Sequence, residues 1–402
     1  MTLALTDLSY GPLSGIRVVD LTTVIMGPYA TQLLGDMGAD VIKVEPPQGD
    51  SARSYKPQRI EKLSGIFLST NRNKRSIALD LKRPAARRAL ARLVSTADVF
   101  VHNLRPTVIE RSGFDYASVL KLNPDIIYCT ATGFGAEGPY AEKPAYDDMI
   151  QAASGMASMF ELARGAPAYV PQAICDKLGG QMIATAILGA VVHRERGGGG
   201  QSVEVPMFET AIAYNMIENF GPATFTPRLG GTGFTRLQTA ERRPYQTLDG
   251  HVCILPYSDK NWQDFFRFVE RDDFLNDRRF MTLAERAQNF PELYAMVALE
   301  AAKHTTSEWL EFCERADIPC MPVVSLDEIE SDPHVRAVGL FQSVEHPESG
   351  PYRIVRSPIR YGAAPFALRR HAPTLGQHNE EVLRAVGLST AEIDDALGRS
   401  AA

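Results

Sequence analysis

Residues 16–46 alternate between strand-like and helix-like patterns with almost no connecting chain. IRVVDLT (16–22) is an apolar, β-branched run, and GPYATQLLGDMGA (27–39) spaces its apolar residues at helical intervals. DVIKVEP (40–46) is a second buried strand. Two strands apolar on both faces and joined by a single helix must run parallel, with helices covering the sheet. Further strands are predicted at SIALDLK (76–82), VFVHNL (99–104) and DIIYCTATG (125–133), with a helix over 83–97. The expected fold is therefore α/β, a parallel Rossmann-like sheet. A long helix follows over 177–195, and GGGG (197–200) forces a turn into QSVEVPMFE.

The alternation places a large domain over 1–205 and a Gly/Pro-rich linker over 206–240. A second, smaller α/β domain spans 241–330, with helices near 259–271, 282–303 and 306–317. The segment 331–402 is extended and proline-rich before a last helix, and is expected to return to the large domain. No internal repeat or low-complexity segment appears.

A net charge of -6, with 45% hydrophobic and 22% charged residues, argues against nucleic acid as a partner, since phosphate binding needs a basic excess. The five cysteines (129, 175, 253, 313, 320) contain no CxxC pair, and the eight histidines form no close pair at metal-ligand spacing. No metal is expected. The N-terminal stretch lacks a signal-peptide pattern, and the most apolar run, Met182 to Val192, falls short of the roughly 20 residues a membrane span needs. The expectation is a cytoplasmic protein with no membrane partner.

GFGAEG (133–138) spells G-x-G-x-x-G after a strand, but Pro139 and YAEKPAYDD follow where a dinucleotide fold needs a helix. It reads instead as a loop whose backbone approaches a ligand. No redox nucleotide is expected, and no G-x-S-x-G, Walker A or H-E-x-x-H motif occurs. Cys175 reads as packing rather than as a nucleophile. In open α/β sheets ligands sit beyond the carboxyl ends of the strands. Those ends collect Ile25 and Met26, Pro46, Lys82, Asn103 and Arg105, with Arg111 nearby. Lys74 and Arg75 stand before the third strand. Singly each cation reads as a solvated charge; together they would form a rim for an anionic ligand.

Asp176 stands at the mouth of the longest apolar helix. It could be an N-cap. However, Gly179 occupies the position where a capping box wants Glu or Gln. Gly179 and Gly180 in a first turn also cost about 1 kcal/mol each relative to alanine. The pair would open a path for a bulky reactant to the carboxylate, and the helix N-terminus would favour its ionised, attacking form.

Taken together, residues 13–50, LSTNRNKRSIALDLK (68–82), VFVHNLRPTVIERSGFDY (99–116), AYDDMIQAASGM (145–156), CDKLGGQ (175–181) and PTLGQHNEEVL (373–383) resemble the class III CoA-transferases. The resemblance covers nearly the whole chain. It implies that Asp176 is the catalytic aspartate and that Ile25, Met26, Leu79, Asp80, Lys82, Asn103, Leu104, Arg111, Tyr146 and Asp147 line a coenzyme A site. Coenzyme A would serve as substrate and as covalent intermediate. The partners implied are acyl-CoA, a small carboxylic acid and a second copy in an interlocked homodimer. Pro46 and Ile25 replace an arginine and a glutamine of formyl-CoA transferase, which argues against formate and oxalate. LGGTG (229–233) is either a counterpart of the family's glycine loop or an ordinary linker turn.

The expected reaction moves CoA from an acyl-CoA, first of all succinyl-CoA, to a carboxylic acid through an aspartyl-CoA thioester. Arg236, Arg242 and Arg243 would hold a second carboxylate or form a solvated basic run. A racemase acting on α-methylacyl-CoA needs a second acid/base. The Gly-His of that type is replaced here by Ala145 and Tyr146. Intramolecular transfer within one diacid would use the same aspartate, and an idle CoA-binding protein would have no use for it.

Overall fold

The computed structural model describes residues 11–234 and 236–399, which divide into two compact units. The first runs through Ser154, resumes over Val170–Tyr214 and again from Arg336. The second comprises Gly155–Tyr169 and Asn215–Val335.

The first unit is built on six strands: β1 (Arg17–Leu21), β2 (Asp40–Glu45), β3 (Lys74–Ala78), β4 (Val99–His102), β5 (Ile127–Thr130) and β6 (Gln201–Glu204). They lie in the order β3-β2-β1-β4-β5-β6, and every pairing is parallel. Val18 pairs with Val41 on one side and with Val99 on the other. The strand order reverses between β1 and β4, so the crossovers leave to opposite sides there and open a crevice at the carboxyl ends.

Ten helices matter here: α1 (Met26–Asp36), α2 (Pro84–Val94), α3 (Pro106–Ser112), α4 (Asp147–Ala153), α5 (Ile174–His193), α6 (Asp259–Phe268), α7 (Phe290–Ala301), α8 (Thr306–Ala316), α9 (Asn379–Ala385) and α10 (Thr390–Leu397). On one face of the sheet, Ala86, Leu90 and Leu93 of α2 join Ile77 and Phe100 in a buried cluster. Val382 and Leu383 of α9 and Ile393 of α10 complete it, so the C-terminal helices are part of this core. α1 and α5 pack closely on one another. Counted with the turn after it, Ile174–Gly198 is long and apolar enough to cross a membrane by length and composition. This corrects the count that stopped at Met182–Val192. Its Ile183, Ile187 and Val191 are buried within the fold.

Three expectations are corrected. β3 begins at Lys74 rather than Ser76 and ends at Ala78, leaving Leu79–Lys82 beyond the strand. The helix read over 282–303 is broken, because Pro291 cannot continue a preceding helix and instead sits in the first turn of α7. The single closing helix is two, separated at Gly387 with φ 85° and restarted by the Ser389 capping box. Ahead of them lies an antiparallel hairpin of β10 (Phe341–His346) and β11 (Gly350–Val355). The PTLGQHN stretch backs β3: the His378 amide donates to the Ser76 carbonyl at 2.9 Å, and Asn379 Oδ1 accepts from the Ala78 amide at 2.8 Å.

In the second unit, β7 (Tyr245–Gln246), β8 (His251–Ile254) and β9 (Cys320–Pro322) form an antiparallel sheet. Trp262, Phe265 and Phe266 of α6 and Trp309 and Phe312 of α8 supply an aromatic core. Capping boxes at Ser258 and Thr305 start those two helices.

Candidate active site

A cavity of about 240 Å³ lies at the carboxyl ends of β1, β4 and β5, at the reversal of strand order. Its wall is made by Thr23, Val24, Met26, Asn103–Pro106, Ala131–Gly133, Ala141, Lys143–Tyr146, Asp176 and Met207, all within the first unit. Val24 has φ 72°, a left-handed conformation costly for a β-branched residue. Its neighbours over-determine it. The Val24 amide donates to both Asp50 oxygens at 3.1 and 3.2 Å. The Asn103 side chain accepts from the Thr23 amide and donates to the Thr23 carbonyl, both at 3.0 Å. Lys43 Nζ, wholly buried, donates to the Thr22 carbonyl at 2.8 Å and pairs with Asp50 at 2.9 Å.

The β4 side of the wall is fixed by His102. Its Nδ1 accepts from the Leu104 amide at 3.2 Å, so Nε2 carries the proton and donates to Tyr128 Oη at 2.8 Å. That hydroxyl donates on to the Phe114 carbonyl at 2.9 Å. Burial lowers the His102 pKa to about 4, which keeps the ring neutral.

Asp176 is not an N-cap. The cap position of α5 is Ala173, which has no side chain to offer, and Asp176 is the third helical residue. The orphan amide of Asp176 is taken instead by a residue from another helix: Asp147 Oδ1 accepts from it at 3.0 Å. Asp147 is in turn held by Gln151 Nε2, which donates to Oδ2 at 2.7 Å. Burial, and then the charge of Asp147, raises the Asp176 carboxyl pKa to about 6. The helix terminus does not leave Asp176 with a lowered pKa, contrary to the expectation above.

Gly179 and Gly180 serve packing rather than access. A Cβ on Gly180 would stand 2.8 Å from the Met26 carbonyl oxygen and from Tyr29 Cδ1. One on Gly179 would meet Met26 Cε at 2.6 Å. The glycines let α1 lie against the second turn of α5, which brings Met26 into the wall beside Asp176.

Met26, Asn103, Leu104, Tyr146 and Asp176 share the cavity wall, and Asp147 stands behind Asp176. The other expected contacts lie elsewhere. Ile25 is the N-cap of α1, Leu79 is buried in the sheet core, and the Asp80 carboxylate accepts from the Lys82 amide at 3.1 Å. Lys82 is exposed past β3, and exposed Arg111 donates to the Thr107 carbonyl at 3.1 Å.

The basic rim is corrected at two positions. Lys74 is fully buried inside β3, paired with Asp20 at 3.2 Å and donating to Asn71 Oδ1 at 2.9 Å. Arg75 pairs with Asp40 at 2.7 Å and with Glu381 at 2.9 Å. Both hold the fold together.

Arg236 packs within the second unit, donating to Tyr294 Oη at 3.2 Å, with its guanidinium 4.8 Å from the Phe290 ring centre. Arg242 and Arg243 are exposed. The 229–233 turn is tied back by the Leu229 and Gly233 amides, which donate to the Pro222 and Asn219 carbonyls.

The GFGAEG amides are already occupied: Gly135 donates to Glu209 at 3.0 Å and Ala136 to Glu204 at 2.8 Å, so two carboxylates fill the place a phosphate would need. Burial, with the charges of Asp147 and Asp176, pushes the Cys175 thiol up to about 12, which removes it as a nucleophile. No group of three or more metal-ligating side chains occurs among the described residues.

Thr23, Val24, Thr132 and Met207 were missed in the sequence, whereas Gly133 belongs to the GFGAEG loop read as approaching a ligand, and it does line the cavity. Ala131 and Thr132 lie at the carboxyl end of the fifth strand, the same signal that marks Met26 and Asn103. The strain at Val24 has no signal in residue type. Thr132 is 8% exposed, and its buried hydroxyl has no hydrogen-bond partner.

A family model, CoA-transferase family III, matches residues 13–379. The chain is 35% identical to succinate–glutarate CoA-transferase of Agrobacterium fabrum over 92% of its own length and 95% of the relative's. It is 31% identical to formyl-CoA:oxalate CoA-transferase of Afipia carboxidovorans, over 93% of each chain. The crystal structure of Rv3272 from Mycobacterium tuberculosis is similar with a TM-score of 0.80 at 30% identity, covering 92% of this chain and 99% of that one.

Proposed function

Because the chain belongs to CoA-transferase family III, we propose that it moves CoA from succinyl-CoA to a carboxylic acid, with Asp176 as the nucleophile. The observation that carries this is one carboxylate, its pKa raised to about 6, in the wall of a cavity at the sheet's reversal point. Such a group is ionised at neutral pH yet more basic than an ordinary aspartate, which favours attack on a thioester carbonyl.

An Asp176 carboxylate oxygen bonds to the thioester carbon and expels CoA thiolate, giving a mixed anhydride. The thiolate attacks the aspartyl carbonyl, and the donor leaves as its carboxylate. Asp176 is now a CoA thioester. The acceptor carboxylate attacks that carbonyl and releases the thiolate, which then attacks the acceptor side of the new anhydride. New acyl-CoA leaves and Asp176 is restored, with no net change in protons or electrons. Water must be kept from the anhydride while it lasts, because it would hydrolyse it. Lys143 and Arg105 in the cavity wall are cations for the anionic parts of these substrates.

The likeness to a succinate–glutarate enzyme supports a dicarboxylic acceptor. A racemase is disfavoured because the described wall holds no histidine to face Asp176 across an α-carbon. The reading includes an interlocked homodimer, whose expected solution mass is twice the 44.2 kDa of one chain by light scattering. It also includes a cytoplasmic location, with which five free cysteines agree.

The test is turnover of succinyl-CoA with a panel of mono- and dicarboxylic acids, followed by chromatography of the acyl-CoA products. A new acyl-CoA with one or more acids, lost in Asp176→Ala, is expected. Exchange of the α-proton of a branched acyl-CoA without any transfer would replace this reading with the racemase.

A further inference from the structure

Gln151 is wholly buried in α4, and both ends of its amide are committed. Nε2 donates to Asp147 Oδ2 at 2.7 Å and lies 3.4 Å from the carbonyl oxygens of Val170 and Gln172. Oε1 accepts from the Val170 amide at 2.8 Å. Val170 is where the chain re-enters the first unit, four residues before α5 begins. Asp147 is the residue whose other oxygen holds the Asp176 amide. One side-chain amide thus braces the carboxylate behind Asp176 and the segment that delivers Asp176 to the cavity.

We infer that Gln151 is a positioning residue for the transfer reaction, acting through Asp147 and Val170 to fix where Asp176 stands and how closely Asp147 faces it. The inference rests on Asp176 being the nucleophile. Gln151 touches no substrate, since it is 0% exposed. A helix-stabilising role alone does not account for it: an Asp–Gln pair four residues apart contributes little on an exposed helix, whereas this pair is buried and tied to a second segment. Such bracing matters because misplacing a reacting group by about 1 Å costs about a hundredfold in rate.

The charged groups around Asp176 are few. α4 contributes Asp147 and exposed Asp148, α5 contributes Lys177, and the cavity wall contributes Lys143 and Arg105. α1 carries only Asp36, which pairs with Arg72, and Glu204 of β6 is occupied by the Ala136 amide. Asp147 is therefore the anion whose placement governs Asp176, and Gln151 is the donor that places it.

The test is the rate of CoA attachment to the enzyme from succinyl-CoA, followed by intact-protein mass spectrometry across pH 5–8 in wild type, Gln151→Leu and Gln151→Glu. In Gln151→Leu the limiting rate is expected to fall roughly 10- to 100-fold. The midpoint of its pH dependence moves below the wild-type value as Asp147 is released. The succinyl-CoA concentration for half-maximal rate changes less than about threefold, since no substrate contact is lost.

Gln151→Glu keeps the shape and the acceptor for Val170, so it guards against a folding failure. Buried against Asp147, its carboxyl holds a proton and donates to Asp147 in place of Nε2, so rate and midpoint close to wild type are expected in this variant. Wild-type limiting rate and midpoint in both variants, with only a lowered melting temperature, would overturn the positioning role and leave the transferase reading intact. Absence of any wild-type adduct would overturn the transferase reading and this role with it.

Discussion

At Asp176 burial and the neighbouring Asp147 both favour the proton, and together they lift the pKa from an ordinary 3.8 to about 6. Activity is therefore expected to fall as pH drops through about 6, because the attacking form is the carboxylate; a rate profile between pH 5 and 8 checks this. Stability runs the other way. The folded state binds the proton more tightly than the unfolded chain, so ionisation begins to penalise the fold near pH 4, and the penalty is complete above about pH 6. Asp176→Asn should thus stabilise the protein by roughly 1–2 kcal/mol at pH 7.5, after allowance for partial exposure, and by almost nothing at pH 4. Urea melts at the two pH values measure it. The buried, unpartnered Thr132 hydroxyl gives a second residue-scale expectation. Thr132→Val should leave stability unchanged or raise it by about 1 kcal/mol, because no intramolecular hydrogen bond is lost. The sequence placed Asp176 at a helix mouth but not its environment. Asp147 is 29 positions away, and its contact with the Asp176 amide depends on how α4 and α5 meet.

Among the elements, the contact of α1 with α5 and the charged interior of β3 were the hardest to read. Two glycines beside a carboxylate suggested an opening, yet they are filled by α1. Gly180→Ala should cost about 2 kcal/mol, because the new methyl meets the Met26 backbone carbonyl, which cannot move without shifting the helix. Gly179→Ala should cost less, about 1 kcal/mol, since it displaces the flexible Met26 side chain from Cγ to Cε rather than backbone and gains helix propensity. Denaturant midpoints of the two variants give the comparison. β3 was read two residues late because KRS looks like loop chemistry. In the fold, burial pulls Lys74 down to about 8 with help from the like charge of Lys43, while Asp20 draws it back toward the charged form. Asp20 itself, against the effect of its burial, is held below its usual range by Lys74 and Lys43 and by the Thr22 and Thr31 hydroxyls. Lys74→Met should therefore destabilise by roughly 3 kcal/mol, because Asp20 stays buried without its ion-pair partner and keeps only the more distant Lys43 and the Thr22 and Thr31 hydroxyls. Hydrophobic periodicity misses strands whose charges are neutralised inside the protein. It succeeded at β4, and at β1 and β2 because Val18–Val19 and Val41–Ile42 carry the pattern beside the buried Asp20, Lys43 and Glu45.

For the whole molecule, the α/β class and the parallel sheet were legible, because apolar strands joined by helices leave little alternative. The order β3-β2-β1-β4-β5-β6 was not, since the same segments could be wound in several ways, and with it the location of the crevice stayed hidden. The excursion of Gly155–Tyr169 into the second unit was equally invisible, being short and without a pattern of its own. What the strand ends did provide was a set of residues from distant segments, of which Met26, Asn103 and Arg105 do meet in one cavity, joined there by Asp176 from the helix mouth. The central claim is that Asp176 becomes a thioester of coenzyme A, and intact-protein mass spectrometry after mixing with succinyl-CoA tests it most directly. A mass gain equal to covalently attached CoA is expected, removed by hydroxylamine, mapped to the peptide containing Asp176 and absent from Asp176→Ala. A protein that turns over succinyl-CoA with no such adduct, or forms it equally well in Asp176→Ala, would contradict the account.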